Sequence, residues 1–193
     1  MKKLILPLAL LSVAPLAAQS FEVGVFVGQQ SYKSASDIGG TLEPSKKTVT
    51  SARFGYSVVD FGPALFQLTA GYQPESKTDV EANGVTIPGS EFKQKHWSVG
   101  AMFNFKAGVA IGAGIEYRNE TLTSGPDSTT YGRPWARANV GFAFPTPLVK
   151  PFIGLEVAAP MTSKSYDSAA SDAENLKAVA PKMQVGIYAG LRF

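Results

Sequence analysis

Beyond residue 20, apolar side chains recur at every second position over stretches of about nine residues, separated by polar segments that carry Gly and Pro. A period of two is the repeat of a β-strand, whose successive side chains point to opposite faces. Eight stretches follow this rule. Phe21, Val23, Val25 and Val27 share one face of the first, and Ala52, Phe54, Tyr56 and Val58 mark the second. Ala64, Phe66, Leu68, Ala70 and Tyr72 form the third, and Trp97, Val99, Ala101, Phe103 and Phe105 the fourth. Val109, Ile111, Ala113, Ile115 and Tyr117 form the fifth, and Ala136, Ala138, Val140, Phe142 and Phe144 the sixth. Ile153, Leu155, Val157 and Ala159 mark the seventh, and Val185, Ile187, Ala189, Leu191 and Phe193 the eighth. The intervening positions are Gly-rich and polar. Strands with one apolar side, each about as long as a tilted crossing of the hydrocarbon layer, predict a transmembrane β-barrel. The expected fold is all-β: a closed antiparallel transmembrane β-barrel of eight strands, up-and-down.

The connections alternate strictly. Asp60–Pro63, Lys106–Gly108 and Pro145–Lys150 are short, whereas Lys33–Thr48, Gln73–Glu91, Asn119–Gly132 and Pro160–Ala180 are long and polar. In an outer-membrane barrel the short turns face the periplasm and the long loops face outside, which puts both termini on the periplasmic side. Centring the fourth and fifth strands on Ala107 pairs Phe105 with Val109, Phe103 with Ile111 and Trp97 with Tyr117. Every pair then keeps like faces together. Trp97 and Tyr117 fall at the outer interface, and Phe61, Phe105, Phe144 and Phe193 near the opposite rim, so two aromatic girdles are expected.

The first residues set the compartment. Lys2 and Lys3 precede an apolar run from Leu4 to Ala14, followed by Pro15 and small residues. This is the layout of a signal peptide, and the run is too short for a bilayer-spanning helix. Cleavage after Ser20 places Ala18 and Ser20 at the small-residue positions; cleavage after Ala18 leaves Leu16 at the less suitable one. The expected organisation is a signal peptide over 1–20 and an outer-membrane β-barrel over 21–193, exported across the inner membrane of a Gram-negative bacterium.

Charge excludes little else. The chain has 18 basic and 15 acidic side chains, net +3, and removing Lys2 and Lys3 with the leader lowers this to +1. That is not the charge of a nucleic-acid binder. With no Cys, lipoprotein-type anchoring and CxxC metal or redox sites are excluded.

Among the inward positions, Glu22, Glu116 and Glu156 stand against Arg53, Arg118, Arg137 and Arg192. Charges inside a narrow barrel must be paired or hydrated, because isolated burial costs several kcal/mol or more. Arg suits the task, since its planar fork bridges two carboxylates. These seven residues are expected to form an ionic network that fills the interior, with an ion path as the alternative reading.

The eight alternating strands, the leader and the terminal Gly190-Leu191-Arg192-Phe193 resemble the small outer-membrane β-barrel superfamily, the class of outer-membrane proteins A, W and X. The resemblance covers residues 21–193 and rests on pattern. It implies that Val185, Ile187, Ala189, Leu191 and Phe193 act as the signal presented to the barrel-assembly machinery. No peptidoglycan-binding domain is expected after Phe193, and no stretch assigns the hydrophobic-ligand role of the protein W class.

Candidate chemistry is thin. His96 and Ser98 point inward, and the Ala107 register sets Ser98 beside Glu116. A Ser, a His and a carboxylate are the minimum for nucleophilic catalysis, and His-x-Ser is similar to the lipid A deacylases, themselves small barrels. Here Val99-Gly100 follows Ser98 where that family has Asn, so a hydrated rim His is preferred. Asp167, Asp172 and Glu174 share a loop without EF-hand spacing, so no metal site or cofactor is expected. Lys46-Lys47 reads as solvated surface, with lipopolysaccharide phosphates as its functional alternative. A short helix is expected within Ser168–Val179. The expected role is non-enzymatic: a structural, surface-interacting barrel in contact with outer-membrane lipid and lipopolysaccharide. A narrow porin-like channel for small solutes is the alternative, and a lipid A-modifying hydrolase is third.

Overall fold

The computed structural model describes residues 20–37, 40–146 and 148–193, so the signal peptide lies outside the described residues apart from Ser20. Ten strands are present among the described residues: β1 (Phe21–Tyr32), β2 (Ala35–Asp37), β3 (Gly40–Pro44), β4 (Lys47–Phe61), β5 (Ala64–Ala82), β6 (Val85–Ala107), β7 (Val109–Ser124), β8 (Asp127–Ala143), β9 (Lys150–Pro160) and β10 (Pro181–Arg192). Eight of them form a closed antiparallel ring, β1-β4-β5-β6-β7-β8-β9-β10, which β1 and β10 complete with Glu22 opposite Arg192 and Gly28 opposite Gly186. β2 and β3 make a small hairpin that joins the outer end of β5 through Leu42 and Ala82.

The two-residue period explains which side faces out. Val25 is 49% exposed, Ile111 63% and Ile115 61%, while the inward neighbours Phe26, Gly112 and Glu116 are buried. An apolar belt of this extent is an aggregation hazard in water and a requirement in lipid. Tyr72, Trp97 and Tyr117 stand exposed at one edge of the belt, Tyr72 directly opposite Trp97. Phe105, Phe144 and Phe193 stand exposed at the other; the Phe61 side chain is outside the described set.

The hairpin register differs from expectation by one position at the turn. Ala107 pairs with Val109, so the centre is Gly108, and Phe105 lies opposite Ile111, Val99 opposite Tyr117 and Ser98 opposite Arg118. Gly108 has φ +82°, a conformation open to glycine and strained for alanine, and this moves the apex off Ala107. Because the partner numbering shifts by two, every side chain keeps its face. Trp97 and Tyr117 become diagonal neighbours, ring centroids 6.3 Å apart.

Three of the four expected loops are mostly strand, and in Lys33–Thr48 the strands are β2, β3 and the start of β4. β5 and β6 run on through Gln73–Glu91 and turn at Asn83-Gly84, with φ +51° and +79°. Two positive-φ residues in a two-residue turn match the right-handed twist of the flanking strands. β7 and β8 likewise fill most of Asn119–Gly132 and turn after Ser124. The wall is therefore tall along β5–β8 and low along β1, β9 and β10. The 161–180 loop, between β9 and β10, carries a one-turn helix α1 (Asp172–Asn175) capped by Ser171, then a 3-10 turn (Leu176–Val179), and these pack against β3, β7 and β8.

With the ladder closed, detergent meets no free strand edge. The folded protein is expected to stay folded in cold detergent and to change its gel mobility on boiling. Identical migration before and after heating would contradict the closed ring.

Candidate functional site

The lumen is the place where polar side chains converge, and it is filled in layers. At the end with the short turns, Arg192 Nη2 donates to Glu22 Oε2 at 2.7 Å, Gln67 donates to the same oxygen at 3.2 Å, and Asn104 donates to Gln67 at 3.1 Å. A cavity of about 170 Å3 remains beside them, against Phe152 and Tyr188. Tyr188 has room for its ring because Gly141 and Gly154 lie under it; a Cβ on Gly154 would overlap the ring.

Above this pair sits a chain of five alternating charges. Arg118 Nε donates to Glu116 Oε1 at 2.5 Å, and Arg137 donates to Glu116 Oε2 at 3.0 Å and to Glu156 Oε2 at 2.8 Å. Arg53 completes it on the same Glu156 oxygen. Of the seven residues proposed from sequence, these five are brought into one connected group. Glu22 and Arg192 form a separate pair.

Several partners were not anticipated. Arg133 donates to Glu120 at 2.7 Å, both fully buried, and Arg133 also donates to the carbonyl of Pro181. Trp135, with no exposed surface, lies under the guanidinium of Arg118 at 3.9 Å and near that of Arg133 at 5.1 Å. Cation–π contact of this kind is stronger once desolvated. Four glutamines from four strands then cross the barrel. Gln184 donates to Gln30 at 2.6 Å and to Gln73 at 2.8 Å; Gln73 and Gln30 donate to Gln94 at 2.5 and 3.1 Å. Arg118 Nη1 donates to Gln184 at 2.7 Å and so ties this ring to the ionic chain.

The outer end is closed by an apolar cap of Tyr32, Phe92, Leu122, Tyr131 and Ala180, with Val80, Leu176 and Val179 packed against it. Gln30 donates to the Tyr32 hydroxyl at 2.8 Å, and burial pushes that hydroxyl above its ordinary pKa, which keeps it neutral.

Ser98 and Glu116 do not face each other. Ser98 is opposite Arg118, Glu116 is opposite Gly100, and both Glu116 oxygens are held by arginines. His96 Nδ1 lies 3.0 Å from the Gln94 amide nitrogen, and His96 and Ser98 share no hydrogen bond among the described residues. No cluster that could hold a metal ion occurs among the described residues. Lys46 and Lys47 gather with Lys77 around a polar hollow on the outside of β4 and β5; Lys77 and Lys93 both approach Glu91, at 3.7 and 3.9 Å.

No family model matches the sequence. No curated protein matches it either. Solved structures do. Neisserial surface protein A aligns over 90% of this chain and 94% of its own, at 13% identity and TM-score 0.53. A major outer membrane protein from Thermus thermophilus aligns over 91% and 99%, again at 13% identity and TM-score 0.53. The outer membrane protease OmpT of Escherichia coli aligns over 91% and 95% at 10% identity and TM-score 0.46, too distant to bear on chemistry. At these identities likeness speaks for architecture alone: with its closed eight-stranded ring and apolar belt, this chain has the fold of the small outer-membrane β-barrel proteins.

Proposed function

We propose that this protein is a non-conducting, non-enzymatic barrel of the bacterial outer membrane that serves envelope structure and presents its outer loops for surface interaction. The observation that carries the reading is the lumen: the charge chain, the glutamine ring, Trp135 and the apolar cap follow one another along the axis. A channel needs a continuous hydrated path, whereas these groups are tied across the lumen by ion pairs and hydrogen bonds, with Glu120 Oε1, Trp135 Nε1, Arg137 Nε and Glu156 Oε1 buried without a hydrogen-bond partner among the described residues. In planar bilayers the refolded protein is expected to add no unit conductance above the lipid baseline. Stepwise conductance that survives purification would favour solute passage instead.

The leader fits export across the inner membrane, and the outward series Val185, Ile187, Ala189, Leu191 and Phe193 fits presentation to the barrel-assembly machinery. Lys46, Lys47 and Lys77, above the outer girdle, fit contact with lipopolysaccharide phosphates. Hydrolysis of lipid A is disfavoured by the arginine-bound Glu116 and the glutamine-bound His96. A working site also needs donors aimed at a developing oxyanion, and the main chain around Ser98 is committed to its neighbours on both sides. Ser98→Ala is accordingly expected to leave lipid A unchanged by mass spectrometry. Loss of an acyl chain that depends on Ser98 would overturn the non-enzymatic reading.

A further inference from the structure

Outside the lumen, above the cap, the loops enclose a second space of about 260 Å3. Its apolar walls include Ala35 on β2, Leu42 on β3, Val80 on β5, Phe92 on β6, and Leu176 and Val179 in the 3-10 turn. Phe92 is 1% exposed and belongs to the cap, while Leu42 is 42% exposed, so the cleft has a closed floor and an open mouth. Glu43 and Asp172 also line it, and no basic side chain does among the described residues. Among the described residues Glu43 accepts a hydrogen bond from Lys182 Nζ at 3.4 Å, with both side chains substantially exposed. Asp172, in the first turn of α1, has no ion-pair partner among the described residues.

We infer that this cleft binds a small organic cation with an apolar body, an arylalkyl- or alkylammonium. The ring or chain occupies the space between Leu42, Val80 and Leu176, and the ammonium lies at Asp172 and Glu43. Three features select this class. The volume, at the small end for ligand sites, holds one ring with a short tether and is too small for a partner's helix. The apolar lining favours a body that loses water on entry. The two carboxylates, without a lining cation, set the sign of the charge. Phe92 and Val179 belong to both cleft and cap, so a bound molecule rests directly on the element that seals the barrel.

The test uses the refolded barrel in nanodiscs of zwitterionic lipid, read by methyl NMR. Probes are 2-phenylethylammonium, the anion 3-phenylpropionate and the neutral 2-phenylethanol. The cation is expected to shift the methyl signals of Leu42, Val80, Leu176 and Val179 saturably, with the anion at least about tenfold weaker. Asp172→Asn is expected to weaken the cation several-fold and leave the alcohol unchanged; as an exposed loop substitution it spares the barrel. Val80→Trp, which fills the cleft, is expected to abolish the shifts at Leu176 and Val179. Equal affinity for cation and anion, or no saturable shift, would overturn the inference. So would shifts spread equally to lipid-facing Val99 and Ile111, which mark simple partition into the bilayer.

Discussion

Arg137→Glu is expected to lower stability by roughly 3–5 kcal/mol, the cost of breaking a buried charge pair, while Lys46→Glu leaves it nearly unchanged. Arg137 is 7% exposed and bridges Glu116 and Glu156, at 3.0 and 2.8 Å. Reversal sets three carboxylates side by side and strips Glu116 of one of its two cations. Arg118 and Arg53 remain, each on its own carboxylate, and neither spans the gap between Glu116 and Glu156. Lys46 is exposed in the loop ahead of β4, where solvent screens the change. Refolding midpoints in urea, with lipid present, measure both. Comparable midpoints would mean that the lumenal and outer faces are inverted.

The second large effect is expected at Trp135. Truncation to Ala removes a fully buried ring and should cost about 3–5 kcal/mol, the range for large aromatic deletions. The loss exceeds that of packing alone, because the guanidiniums of Arg118 and Arg133 lose the π-face they lie over. Trp97→Ala is the internal comparison. Trp97 is 47% exposed on the lipid side, so its removal leaves no cavity and should cost less than half as much. Equal losses at the two positions would place Trp135 outside the packed lumen and undo the filled-barrel reading.

The barrel within the lipid layer was legible because lipid imposes an alternation that survives in sequence. Val109, Ile111, Ala113, Ile115 and Tyr117 have to face out, and all five are exposed. Above the girdle the same strands continue into water. Lys95, Lys93 and Glu91 take over the outer positions of β6, the apolar outward series ends, and the signal fades although the ladder goes on. Glu120, in a segment read as loop, and Arg133 beside it were missed for this reason. The four glutamines are different. Gln30, Gln73, Gln94 and Gln184 all fall on the inward parity of their strands, so extending each alternation a few residues outward would have found them.

Sequence by itself determined the class of fold, the faces of the strands and the inward placement of the charged residues, because each depends only on a local period of two and on the solvent each face meets. Tertiary structure decided which charges meet. Ring closure brings Arg53 of β4 to Glu156 of β9, and the turn at Gly108 sets Arg118 rather than Glu116 opposite Ser98. It also decided that Leu176–Val179 packs against β3, β7 and β8, where it caps the lumen and shapes the cleft above it. Parity along one strand assigns a face; distances across a closed barrel depend on register and strand tilt, which eight strands settle together.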